Sequence, residues 1–193
     1  IELVDGEYIA RQDADDISDC NRLKKQVEFL ENNRDLDLVG TGMISFDENG
    51  EYARRLVKEL PEPKDLMKGT TFAHATILMK TNVMVQLNGY SEDEYAKRVE
   101  DYDLWFRFFE EGYKGYNLQE YLYYVREDRE AYKRKNFKGR LNEINTIIRG
   151  INRLNLSKKY YFAILKPIIA AVTPNVILRN YHKMKFRIND NVN

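Results

Sequence analysis

Four groups of residues in this chain have side chains and spacings that can do chemistry. Asp13-Ala14-Asp15-Asp16 follows a weakly alternating run, Glu7 to Gln12, and precedes a helical pattern. Carboxylates at i and i+2 on a turn can converge on one hard divalent cation, which prefers oxygen ligands. The same acids can instead serve a helix N-terminus, where they meet the macrodipole and exposed amides. An EF-hand loop starting at Asp13 is excluded, because its sixth position is Ser18 rather than Gly and its twelfth is Lys24 rather than Glu. Glu100-Asp101 opens a helix carrying Trp105. A carboxylate fixed there can face a cleft as a general base, or simply form an acidic first turn. His74, in Thr71-Phe72-Ala73-His74-Ala75, stands in a loop entering a strand and reads as structural or as a substrate contact rather than as catalytic. Arg126 ends Tyr123-Tyr124-Val125-Arg126, where a guanidinium can grip a phosphate bidentately or pair with a surface carboxylate.

The elements that must position these groups are legible in outline. Tyr8 to Gln12 reads as a short strand, and Ser18 or Asp19 as the cap of a helix with Leu23, Val27 and Leu30 at i, i+4, i+7. Leu36 to Phe46 is a Val/Ile/Leu-rich strand, Asp47-Glu48-Asn49-Gly50 a turn, and Glu51 to Val57 its hairpin partner. Pro61 and Pro63 punctuate a loop before a short helix around Asp65–Lys68. Ala75 to Met79 suggests a strand, and Thr81 the cap of a helical turn closed by Asn88-Gly89. A helix from Glu100 ends at Gly112, and Tyr116–Leu118 and Leu122–Val125 look like two short strands. From Tyr132 to Leu154, Leu141, Ile144, Ile148 and Ile151 keep helical spacing; Pro167 and Pro174 divide the rest into short helical pieces. Trp105 and the aromatics after it also keep helical spacing, which predicts core rather than a sugar platform.

Composition narrows the function classes. The chain has 193 residues, 43% apolar, with one cysteine, Cys20, and two separated histidines, His74 and His182. A disulfide framework, a Cys-rich zinc module and a His-based metal cluster are therefore not expected. The Tyr160–Leu178 stretch, broken by Lys166, Pro167 and Pro174, makes a poor membrane span, and no basic-then-apolar leader opens the chain. The expected setting is cytoplasmic. The net charge of zero conceals a polarity: residues 1–128 carry 16 basic and 28 acidic side chains, residues 129–193 carry 15 and 3. A mixed α/β part and a basic helical part are expected to meet near Asp128–Glu130.

Several motifs fall in one order. Gly6-Glu7-Tyr8-Ile9-Ala10-Arg11-Gln12-Asp13-Ala14-Asp15-Asp16 resembles the DxD-bearing segment of family 2, GT-A-type glycosyltransferases. The resemblance continues through Arg22-Leu23 with Gln26, Phe29-Leu30-Glu31, Leu38-Val39-Gly40-Thr41, Phe72-Ala73-His74-Ala75-Thr76 and Asn88-Gly89-Tyr90. Glu100-Asp101-Tyr102-Asp103-Leu104-Trp105-Phe106-Arg107, Gly112-Tyr113-Lys114 and Tyr124-Val125-Arg126 complete it, over roughly residues 1–128. It implies a partial GT-A sheet, Rossmann-like with flanking helices, over 1–128, and a basic helical extension over 129–193. It further implies that Asp13 and Asp15 serve the donor and a Mn²⁺ or Mg²⁺ ion, with Asp16 as a supporting acid. Asp101 would be the catalytic base, Glu100 its neighbour and alternative, Arg126 a donor contact and His74 a substrate contact. The reaction would be inverting transfer of a sugar from a nucleotide-sugar donor to a glycan or lipid-linked acceptor, in bacterial surface polysaccharide synthesis.

The family's first βαβ nucleotide-binding half has no counterpart in this sequence, whose first residue falls roughly where that half ends. The chain is therefore expected to be the metal- and acceptor-side part of such an enzyme, binding donor poorly by itself, or a non-catalytic interaction module on the same fold. Glu127-Asp128 follow Arg126 where many members carry a histidine, so a third protein metal ligand is not carried over. A strand at Tyr8–Gln12 without outer neighbours would present an apolar edge that invites a homo-oligomer. The basic tail lacks any nucleic-acid-binding module. Tyr160-Tyr161-Phe162, Ile164-Leu165 and Ile168-Ile169 beside lysines instead suit either an anionic membrane surface at its inner face or packing on protein.

Overall fold

The computed structural model describes residues 3–126 and 137–173, together with Ile177. The expected boundary at Asp128–Glu130, the start of the helix expected from Tyr132, and the clusters Lys133-Arg134-Lys135 and Lys183-Met184-Lys185 lie outside the described residues.

One mixed sheet organises the α/β part. Its strands are β1 (Tyr8–Ala10), β2 (Ile17–Ser18), β3 (Leu38–Asp47), β4 (Gly50–Arg55), β5 (Leu78–Lys80) and β6 (Gly115–Arg126), ordered β1-β5-β3-β6-β2, with β4 also on β3. β3 and β6 are parallel; every other pairing is antiparallel. β1, antiparallel to β5 and hence parallel to β3, therefore runs the same way as β6. The carboxyl ends of these three strands point alike, the end where open α/β sheets hold their ligands. The β3–β4 hairpin forms as expected, with Asp47 Oδ1 accepting the Asn49 amide at 2.8 Å and Gly50 at φ 110°. Only glycine takes that backbone conformation without strain.

Several expectations are corrected. The two short strands expected at 116–118 and 122–125 form one strand, β6, whose register against β3 shifts around Gly42. A Cβ at Gly42 would lie 2.5 Å from the Leu56 side chain and 3.0 Å from the Glu120 carbonyl, so the irregularity brings the backbones close. The strand expected at Ala75–Met79 begins later: His74–Thr76 is a 3₁₀ turn and only Leu78–Lys80 pairs. Thr81 does not cap α2 (Thr81–Gln86); its hydroxyl donates to the Gly6 carbonyl at 2.6 Å.

Before α1 (Arg22–Asn32), Asp19 Oδ1 accepts the Asn21 amide at 2.8 Å, while Ser18 pairs in β2 and bonds Gln12. Neither caps the helix. The buried face of α1 is Arg22, Gln26 and Leu30, and Leu23 is exposed. Polar residues win the inner positions because they satisfy backbone groups there: Gln26 Nε2 donates to the carbonyls of Val39 at 2.9 Å and Thr76 at 2.8 Å.

α3 (Glu100–Glu110) carries Leu104, Trp105, Phe106 and Phe108 into the main core, as its spacing predicts. Phe72 meets Trp105 edge-on at 5.0 Å and Phe108 at 5.8 Å, contacts worth about 0.5–1.5 kcal/mol each beyond area burial. α4 (Phe137–Arg153) joins the same core through Ile147 and Ile151, its buried face being Asn142, Thr146, Ile147 and Ile151. Leu141 is exposed, so the apolar stripe read from sequence is rotated. Asn142 belongs inside because its amide donates to the carbonyls of Glu94 and Lys97, both at 2.9 Å. A Cβ at Gly150 would stand 2.1 Å from Phe106, so glycine sets the α3–α4 approach.

Candidate active site

The acid loop is positioned by the two edges of the sheet. β1 ends at Ala10 on one edge, and β2 pairs with Tyr123–Tyr124 of β6 on the other. Residues 11–16 therefore pass from one edge strand to the other, around the carboxyl ends of the strands. The Asp13 amide donates to Tyr123 Oη at 3.0 Å, and the Tyr123 hydroxyl is hydrogen-bonded to the Asp16 carboxylate. Burial first, then the neighbouring acids, push the Tyr123 phenol up to about 12, which keeps it a donor. Asp16 Oδ1 also accepts the Arg126 amide at 2.8 Å, and Arg126 Nε reaches the Asp15 carbonyl at 3.4 Å. Burial raises the Asp16 carboxyl despite these bonds. The Asp15 side chain points to solvent.

Arg11 is the hub, and reading the sequence alone gave it no role. Its guanidinium lies 3.0–3.1 Å from Asp13 Oδ1, donates through Nη1 to His74 Nε2 at 2.8 Å, and reaches Tyr90 Oη at 3.1 Å. Tyr90 Oη is itself 2.9 Å from His74 Nε2. An arginine has no lone pair to accept with, so Nε2 must be the acceptor and the ring proton sits on Nδ1. Burial, reinforced by the Arg11 charge, drives the His74 pKa down to about 3, so the ring is neutral at any working pH. Its Nδ1 is buried without a hydrogen-bond partner. Trp105, 5.4 Å away edge-on, supports the ring. His74 is thus a neutral acceptor that fixes a cation.

Asp101 lies at the start of α3, its Oδ1 accepting the Tyr102 amide at 2.8 Å. Burial raises its pKa first, Glu100 adds to that, and Arg11 opposes it, which places the Arg11 charge within electrostatic reach. Glu100 Oε1 accepts the Arg98 amide at 2.7 Å and so serves the helix entry. Arg11 is thus paired with the acid loop, and its charge lowers the Asp101 pKa. An open cleft of about 360 Å³ adjoins the start of the acid loop, lined by Val4, Arg11, Gln12, Asp13, Met84 and Tyr90 among others; Asp15 and Asp101 do not line it.

Two further supports were not visible beforehand. Arg22, buried, donates to the carbonyls of Arg11 at 2.9 Å and Ala75 at 3.2 Å and lies 4.9 Å over the Tyr123 ring. It ties the start of the acid loop to the His74 turn. Arg107, paired with buried Asp103 at 2.8 Å, donates to the carbonyls of Leu87 and Gly89, the latter at 2.8 Å. With Asn88 at φ 54° and Gly89 at φ 62°, this fixes the turn that delivers Tyr90. The signal available for both was a basic residue on an otherwise inward helical position.

As to a metal, among the described residues no three acidic, histidine or cysteine groups form a cluster that could hold one. Asp15 is exposed, whereas Asp13 Oδ1 is held by Arg11 at 3.0 Å, so a cation here would depend on waters and substrate phosphates for most of its ligands.

The mixed α/β sheet, with parallel strands at its centre and an acid loop at its carboxyl end, has a GT-A-like fold. Residues 1–92 match the family described as Glycosyl transferase family 2. A protein described as "Putative glycosyltransferase EpsE" of Bacillus subtilis (strain 168) is 47% identical over 180 residues, covering 93% of this chain and 65% of its own length. O-antigen biosynthesis glycosyltransferase WbnJ of Escherichia coli is 40% identical over 109 residues, 53% of this chain and 40% of that protein. Among solved structures, TarS 1–349 of S. aureus in complex with UDP-GlcNAc superposes with TM-score 0.60 at 14% identity, covering 88% of this chain and 50% of that one. The chain spans about two thirds of the length of EpsE, at 65%.

Proposed function

We propose that this chain forms the acceptor and leaving-group side of an inverting, metal-dependent glycosyltransferase of bacterial surface polysaccharide synthesis. The donor is a nucleotide sugar and the acceptor a glycan or lipid-linked glycan. The observation that carries this reading is the Asp13–Asp16 loop, which rounds the carboxyl ends of the strands and is held there by Arg11 and Arg126. The relatives' names, which include O-antigen and amylovoran biosynthesis, support the polysaccharide context.

In this reading Asp101 takes the proton of the acceptor hydroxyl as that oxygen bonds to the anomeric carbon from the face opposite the leaving group. The bond from that carbon to the diphosphate oxygen breaks, and the nucleoside diphosphate departs with the electron pair. A general base contributes about 10²–10⁴-fold. Asp15 and Asp13 would hold a Mn²⁺ or Mg²⁺ ion, which when bound neutralises the leaving diphosphate. Arg126, at the end of β6 beside the loop, supplies a positive charge to the same diphosphate. His74, neutral and occupied, orients Arg11 and moves no proton.

Among the described residues, no strand pairs with the outer edge of β1. We assign the nucleoside-binding strands to that edge, so the 193 residues by themselves bind donor weakly, and the same edge is where a second copy would pair. Titration calorimetry with UDP-sugars and Mn²⁺ tests this; micromolar binding by a monomer would overturn it. Transfer assays on Asp101→Asn and Asp15→Ala, made in the enzyme with its donor half joined, test the site. Unchanged activity in both would overturn the site assignment; no transfer by the joined wild-type enzyme would leave a non-catalytic docking module as the better account.

A further inference from the structure

Between Ser157 and Thr173 the chain forms two short helices in tandem, a 3₁₀ helix at Lys158–Ile164 and α5 at Leu165–Val172. Their inner face is occupied. Tyr160, Tyr161, Ala163 and Ile164 pack against the main core, and Pro167 is buried. The outer face is apolar as well: Phe162 is 75% exposed, Leu165 47%, Ile169 60% and Val172 80%. Spacings of three, four and three residues place these four side chains on one side of the tandem. A helix that rests one side on a core normally turns charged residues outward. This one turns out a second apolar strip.

The charges around the strip are of one sign. Ser157–Thr173 contains Lys158, Lys159 and Lys166 and no acidic residue, and residues 158–193 carry seven basic side chains against Asp190 alone. Lys159 lies 5.3 Å from the Tyr160 ring centroid, its stem along apolar surface. By contrast, residues 1–128 have twelve more acidic than basic side chains (28 against 16).

We propose that the outer face of residues 158–172 docks on an anionic phospholipid bilayer, with Phe162, Leu165, Ile169 and Val172 entering the headgroup boundary and Lys158 and Lys159 meeting lipid phosphates. An aromatic and aliphatic strip edged by lysines is the composition of an interfacial helix, and apolar contact and charge attraction add in such binding. The acidic α/β part is repelled by the same surface, which turns the acid site away from the lipid plane while keeping it near. No helix among the described residues is long and apolar enough to cross a membrane, so attachment is to one surface. This deepens the proposed function by naming where a lipid-linked acceptor is met, yet it rests on side chains remote from the acid loop.

Vesicle co-sedimentation of the full chain tests it, without sugar or metal. The chain is expected to pellet with phosphatidylglycerol-containing vesicles, less with phosphatidylcholine vesicles, and less in high salt. Phe162→Ser with Ile169→Ser should weaken partition at least about tenfold while leaving the thermal unfolding of the exposed-face variant close to wild type. Lys158→Ala with Lys159→Ala should remove most of the preference for anionic lipid. Absence of lipid-dependent pelleting would overturn the proposal, as would pelleting that none of these substitutions changes. A dimer in sedimentation velocity that Phe162→Ser abolishes would assign the face to a second copy instead. Failure here leaves transfer to a water-soluble acceptor unaffected, and failure of the transferase reading leaves vesicle binding intact.

Discussion

Asp13, Asp15 and Asp16 stand on a loop that rounds the end of the sheet, whereas Glu100 and Asp101 open a helix whose inner face is the aromatic core. The loop acids are met from outside, by Arg11, Arg126 and a tyrosine hydroxyl, and Asp15 is left open to solvent. Asp101 is met chiefly by desolvation, which lifts its pKa. Burial raises the Asp16 and Asp101 carboxyls alike, so the two regions differ in access: the Asp15 carboxylate is open to solvent, where a cation can reach it, while Asp101 is desolvated at a helix start. Arg11 is the one group that touches the first cluster and acts on the second.

The largest expected effect breaks the helix side of this comparison. Asp101→Asn should lower kcat by about 10²–10⁴-fold with the donor KM little changed, as steady-state kinetics of the joined enzyme would show. Breaking the loop side at Asp15→Ala should cost about 10–100-fold and raise the divalent-ion concentration needed for half-maximal rate, read by titrating Mn²⁺.

Arg11→Gln sharpens the link between the two. Asp101 must be ionised to act, so its rate limb rises with pH above the ordinary Asp value of 3.8. Because Arg11 holds that pKa down, its removal should move the limb to still higher pH in a pH–rate profile. His74 gives a stability test. Its pKa falls from 6.5 when unfolded to about 3 when folded, so the unfolded chain binds the extra proton between those values. Stability should drop as pH falls through that window, by up to about 1.4 kcal/mol per unit, and His74→Gln should flatten the slope in urea melts at successive pH values. The smallest effect is Tyr90→Phe. It removes one partly exposed hydroxyl from Arg11 and His74 and should cost about 0.5–1 kcal/mol in the same melts.

The acids were legible as candidates because carboxylates at i, i+2 and at a helix start have local reasons to be there. Arg11 was not, because its partners lie 63 and 79 residues away in sequence. The α1 and α4 faces were misread for a related reason. Arg22, Gln26 and Asn142 look outward by polarity, yet each is buried over backbone carbonyls that need donors. The C-terminal tandem offered two readings from composition, packing on protein or on lipid. The structure divides its residues between an inner and an outer face.

By itself the sequence carried the resemblance to family 2 glycosyltransferases, the α/β order of elements, the hairpin at Asp47–Gly50 and the aromatic α3 core. Each of these depends on local spacing or on motifs read in a line. Only the tertiary structure decided that a neutral His74 holds Arg11 against the acid loop, that this loop joins opposite edges of the sheet, and that residues 158–172 are apolar on both faces. Burial and distant hydrogen-bond partners fix those features, and neither exists until the chain has folded.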